Sequence, residues 1–241
     1  MIGIVAVVVL VSTAFQAIAG FGFAIVAAPV LVTILGVKET VKFIIISSAY
    51  MQIYMMHKVR KDVHFDVVKR LLIGSILGIL PGSYIFRSIN AQNLEILLGI
   101  SLIMAVTLLS FKFSWHSSHP KLEQVLFGLV AGFFIATTSI GGPVISLYML
   151  NAKAAKDETR ADMTFFFFAS NLWTLTTWLF LGNISWSYFV GLPLWTLPAS
   201  VLGVYVGNII FQHVNQKMFN RLSMLVILFC GIHMIMQGLG K

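Results

Sequence analysis

The sequence predicts an all-α polytopic membrane protein built of two inverted four-element repeats, each a broken helix or helical hairpin plus three transmembrane helices. Three observations lead there. Of 241 residues, 59% are hydrophobic and only 10% charged, with a mean hydropathy of +0.94, whereas a soluble domain carries about 25% charged side chains. The charges cluster, leaving charge-free windows at 1–37, 43–56, 71–86, 96–111, 124–152, 163–216 and 222–240. Two helix-breaking strings also stand in corresponding places of the two halves, Ala19-Gly20-Phe21-Gly22-Phe23 and Ser139-Ile140-Gly141-Gly142-Pro143.

Each element follows from these windows. A helix needs about 20 residues to cross a hydrocarbon core of roughly 30 Å, so the windows supply about eight spanning segments. Their apolar runs are unbroken, unlike the ~10-residue alternation of barrel strands. Residues 1–37 would form a helix of about 55 Å, too long for one span, and the paired glycines Gly20 and Gly22, with Pro29 beyond, supply the break. Ala17-Ile18-Ala19 resembles a signal-peptidase site, but no Lys or Arg precedes Lys38 and the apolar run continues, so the segment is expected to stay in the membrane. Three helices follow, completing a first repeat over residues 1–113, and a basic cytoplasmic connector at 114–122 leads to a second repeat over 123–241. Residues 124–152 would again be too long, at about 43 Å. Their break ends in Pro143, which suits the first turn of a new helix.

The halves match in detail. A shift of 125 residues superposes Gly78 on Gly203, Gly82 on Gly207 and Asn90 on Asn215; a shift of 119 pairs Glu39-Thr40 with Glu158-Thr159 and Gln52 with Asn171. If each broken segment is a hairpin returning to its own side, the connectors place 12 Lys and Arg on the cytoplasmic side against 4 outside. If each is a single pass, that bias vanishes. One hairpin plus three crossings has odd parity, so the second copy is inserted upside down, as in many secondary transporters whose binding site lies near the midplane at discontinuous helices.

Broken helices leave backbone groups unpaired, which lipid does not tolerate but a wet cavity does. Helices restarting near Gly22 and Gly142 would aim free N–H groups and about half a positive charge at whatever lies before them, which favours an anion. The expected site comprises Gly20, Phe21, Gly22, Phe23, Ser139, Gly141, Gly142 and Pro143 at the breaks. Gln16 and Thr138 would add hydrogen bonds, with Gln52 and Asn171 as cavity wall. Gly74, Gly78 and Gly82, Gly128 and Gly132, and Gly203 and Gly207 have the spacing of helix-packing stripes. Phe165–Phe168 reads as a lipid- or core-facing run. Trp173, Trp178, Trp186 and Trp195 suit either a pocket or an interfacial belt.

Catalysis lacks its parts. Every Asp and Glu is expected in or beside a connector, and His233 alone falls within a span, as a packing residue. There is no HExxH motif and no nucleotide fingerprint. Single Cys230 excludes a multi-cysteine metal site and a disulfide framework. No cofactor and no enzymatic activity are expected. The net charge of +8 sits in short connectors, where topology explains it, so the expected partners are the lipid bilayer and a small anion rather than nucleic acid.

The string Gln16-Ala17-Ile18-Ala19-Gly20-Phe21-Gly22-Phe23, closing on Pro29, and its partner Thr138-Ser139-Ile140-Gly141-Gly142-Pro143 resemble the paired signatures of the sulfite exporter (TauE/SafE) family of membrane permeases. The resemblance covers essentially the whole chain. It implies a bacterial inner-membrane transporter for sulfur-containing anions such as sulfite, sulfonates or sulfoacetate, in either direction. Phe23 departs from the pattern, standing where many members have another glycine. On the same residues the alternatives are an anion channel or facilitator for non-sulfur organic anions, and a non-transporting scaffold subunit. The oligomeric state is not fixed by the sequence.

Overall fold

A computed structural model describes residues 2–19, 21–59, 62–110, 119–152, 155–211 and 216–240, and among these every regular element is a helix. Helix α1 (Ile2–Ala19) ends at the first break and α2 (Phe23–Leu35) starts beyond it. Gly22, at φ 113, makes the turn in a conformation few other residues adopt, and a Cβ there would lie 2.7 Å from the Phe15 ring. Gly36 alone separates α2 from α3 (Val37–Val59), followed by α4 (Phe65–Ser88) and α5 (Ala91–Ser110). Asn90 caps α5, its side-chain oxygen accepting from the Asn93 N–H at 2.7 Å.

The second half opens with α6 (Pro120–Thr138), closed by Ser139 at φ 63, and restarts as α7 (Gly142–Asn151) with Pro143 in its first turn. Gln124 near the start of α6 donates to the Tyr148 hydroxyl near the end of α7 at 2.7 Å. Helix α7 therefore runs back along α6, and the pair is a hairpin. Next come α8 (Lys156–Leu181), two single turns α9 (Ser187–Val190) and α10 (Leu192–Trp195), then α11 (Leu197–Phe211) and α12 (Gln216–Leu239). The interruptions around α9 and α10 fall at Gly191, Pro193 and Pro198, where glycine and proline weaken helical continuity.

Glycine stripes set the packing. A Cβ on Gly78 would lie 2.0 Å from the Leu129 carbonyl oxygen and one on Gly82 2.7 Å from that of Phe133, so α4 and α6 approach backbone to backbone, side by side and parallel. Gly203 and Gly207 meet the Leu10 and Ala14 carbonyls of α1 at 2.5 Å each in the same way. Leu10 and Leu129 are 119 residues apart, as are Ala14 and Phe133, so α1 with α11 repeats the packing of α6 with α4. Helix α3 packs on α8, and α5 on α12.

Among the described residues, four helices are long and apolar enough to cross a membrane, within 65–88, 91–108, 120–138 and 157–181, or five if the pair bent by 45° between α10 and α11 is one span. Helices α2 and α7, at 13 and 10 residues, are shorter, and Lys38, Glu39 and Lys42 dilute the first turns of α3. Apolar side chains such as Val7, Leu77, Leu126 and Leu202 face outward, and Trp186 and Trp195 are exposed as well.

One sequence expectation needs correction. Glu95 and Asp162 lie inside α5 and α8 and are buried, at 4% and 2% exposure, because each occupies a helix face covered by neighbours. Of the run Phe165–Phe168, Phe166 and Phe167 are buried in the core and Phe165 packs against it.

Candidate functional site

The two breaks meet. A pocket of about 40 Å³ is lined by Phe21–Ile25 at the start of α2, by Ser139, Ile140 and Gly142 at the start of α7, and by Gln16 and Ile135 on the preceding helices. Its wall is completed by Ile44, Ile45, Ser48 and Gln52 of α3 and by Phe167 and Asn171 of α8. Gln16 and Ile135, Phe21 and Ile140, Phe23 and Gly142, Ser48 and Phe167, and Gln52 and Asn171 are each separated by the same 119 residues. Corresponding positions of the two halves thus surround one space.

Hydrogen bonding at the pocket is incomplete in a directed way. Gln16 Oε1 accepts from the Phe23 N–H at 3.2 Å, capping α2 and leaving the Gln16 amide donors without a partner among the described residues. Asn171 Nδ2 donates to Gln52 Oε1 at 3.1 Å and ties α8 to α3, leaving the Gln52 amide donors likewise without a described partner. The first N–H groups of α7, at Gly142 and Val144, have no intrahelical acceptor, and neither do those of Ala24 and Ile25 in α2. Among the described residues no Lys, Arg, Asp or Glu lines the space. What it offers is neutral donors, two helix amino ends and apolar wall.

Of the residues singled out in the sequence, Gln16, Phe21, Gly22, Phe23, Gln52, Ser139, Gly142 and Asn171 line this pocket. Thr138, Gly141 and Pro143 do not. The Thr138 hydroxyl donates to the Phe134 carbonyl one turn back at 3.0 Å, as helical threonines commonly do. Gly141 is pressed against the Ala131 carbonyl, and Pro143 is buried in α7. Gly20 lies outside the described residues. The sequence reading passed over Ser48 and Phe167, each one helical turn before a residue it chose, Gln52 and Asn171, and so on the same helix face. Trp178 is fully buried and stacked on Phe86 with ring centroids 4.3 Å apart, and it does not line the pocket.

Two polar clusters lie beyond the pocket. On α3 the Glu39 carboxylate accepts from Tyr188 Oη and from Lys42 Nζ at 2.9 Å, and the Lys42 ammonium sits 4.8 Å from the centre of the Tyr188 ring. At the start of α8, Asp162 accepts from the His64 backbone N–H at 2.6 Å, with the His64 ring 3.4 Å from Asp162 and 3.8 Å from Glu158. His64 precedes α4, while Lys38 beside Glu39 reaches the Phe86 ring near the end of α4 at 6.0 Å. The clusters are therefore about 33 Å apart, at opposite ends of α4. Glu39 and Glu158 each stand thirteen residues before an amide of the pocket, Gln52 and Asn171. Among the described residues no three His, Cys, Asp or Glu side chains are grouped to hold a metal ion.

Comparison with curated proteins and with solved structures returned no match. A family model described as Sulfite exporter TauE/SafE matches residues 4–234, nearly the whole chain and both breaks. The chain therefore belongs to the sulfite exporter TauE/SafE family, whose members are multi-pass membrane transporters of sulfite or related anions and not enzymes.

Proposed function

We propose that this protein is a secondary permease of a bacterial inner membrane for small sulfur-containing anions such as sulfite or organosulfonates. It works by alternating access of two inverted halves around the pocket between α2, α3, α7 and α8. The observation that carries the reading is the convergence of two helix amino ends, one from each half, on an uncharged cavity. Fixed N–H groups and helix dipoles favour a negative charge without holding it as tightly as a buried Arg would. Turnover requires that kind of moderate affinity.

The inverted arrangement is supported by the way the packing pairs exchange. Helix α4 lies on α6 as α11 lies on α1, and α4 on α8 as α11 on α3. The Glu39–Tyr188 and His64–Asp162 clusters stand at opposite ends of the path as closures that open in turn.

The reading is tested by thermal shift of detergent-purified protein against sulfite, sulfate, methanesulfonate, taurine, lactate and chloride, since a ligand that binds the folded state raises its midpoint. Gln16→Glu keeps the acceptor that caps Phe23 while adding a negative charge. The expected result is a shift with sulfite or sulfonates in the wild type, absent from a Gln16→Glu protein of unchanged basal midpoint. Shifts confined to lactate would remove sulfur from the proposal.

A further inference from the structure

The two halves of the pocket match in position but not in chemistry. At equivalent places the first half presents Gln16 and Ser48 while the second presents Ile135 and Phe167. Around Gln16, Ser48 and Gln52 lie the amide donors left free and the amino end of α2; in the second half Ile135, Ile140 and Phe167 present carbon at this level, beside Ser139 and the amino end of α7. Oxyanion oxygens placed against the Ile135, Ile140 and Phe167 side chains would lose hydration there without recovering hydrogen bonds from them. With no cation among the described residues that line the space, a second negative charge would have none of them to neutralise it.

Resting on the permease reading above, we propose that the site selects a singly charged anion carrying an apolar substituent. The head group lies at Gln16, Ser48 and Gln52 and the substituent against Ile135 and Phe167, which makes these two residues the determinants of specificity. Asn171 belongs to the polar side through its bond to Gln52. Alkanesulfonates have this chemistry, and their charge stays single at any pH of interest.

The test uses the full chain in detergent and measures affinity for sulfite, sulfate, methanesulfonate, ethanesulfonate and propanesulfonate. Burying a methylene is worth about fourfold in affinity, so the wild type should tighten by about that factor at each step of the series, with sulfate the weakest probe. Phe167→Ser, which gives the second half the residue of the first, should flatten the series and bring sulfite level with propanesulfonate. Ile135→Gln should act in the same direction. The wild-type series alone decides the matter should either variant fold poorly. Affinity that is flat or falling with chain length, while sulfite binds, would overturn the selectivity and leave the permease standing. Binding of none of the five probes would remove the anion site itself, and the selectivity with it.

Discussion

Ser139 shows how local chemistry serves the break. It closes α6 in the left-handed region at φ 63, among the described residues the one non-glycine with positive φ, and its N–H donates to the Ile135 carbonyl at 3.0 Å. An L-residue there costs roughly 1–2 kcal/mol that glycine avoids, while Gly22, at the other break, needs no such compromise. Ser139→Gly should therefore raise the unfolding free energy by about 1 kcal/mol, read as a higher thermal midpoint in detergent. An unchanged or lower midpoint would mean that the serine hydroxyl outweighs the strain. At this scale the sequence was partly legible. The glycines and Pro143 announce the breaks, and the isolated amides Gln16, Gln52 and Asn171 stand out in apolar windows. Thr138 misleads because a threonine beside a break looks exposed, whereas its hydroxyl is already bonded one turn back.

For the elements, small residues are the readable signal and their partners are not. Stripes at four-residue spacing mark faces of close approach, but nothing local says that α4 meets α6 while α11 meets α1. That choice is made by the whole bundle. Because the Gly78 and Gly203 positions face carbonyls at 2.0 and 2.5 Å, Gly78→Val and Gly203→Val should each lower the thermal midpoint by several degrees or abolish recovery of folded protein. Gly3→Ala, with nothing within 4 Å, is the neutral control. Wild-type midpoints in both valine variants would show that these contacts do not hold the halves together. The lengths of α2 and α7 were not legible, because these short arms share the composition of full spans. The buried Asp162 was not legible at all. It sits one turn after Glu158 beside a connector, and only the fold brings His64 across to it.

Across the whole molecule, two halves of unlike sequence build one cavity, with equivalent positions 119 residues apart around it and a polar cluster toward either end of α4. On the reading proposed above, duplication supplies the framework, and divergence at Gln16 against Ile135 and Ser48 against Phe167 supplies the selectivity. The alternating access proposed there would close one end as the other opens, so that a bound anion is carried rather than conducted. The substitution that separates this from a passive pore is Gly142→Val, whose branched side chain would press on the Phe21 ring, 3.0 Å from the position of a Cβ, where the two breaks meet.

The most direct measurement is counterflow in proteoliposomes, in which vesicles preloaded with unlabelled propanesulfonate or sulfite take up the labelled anion from outside. The expected result is saturable uptake, stimulated by anion on the inner side and reduced at least tenfold by Gly142→Val in protein that still inserts and purifies as a folded species. Uptake that does not saturate and ignores the inner anion would contradict alternating access and identify a channel, and full counterflow in Gly142→Val would remove the paired breaks from the transport site.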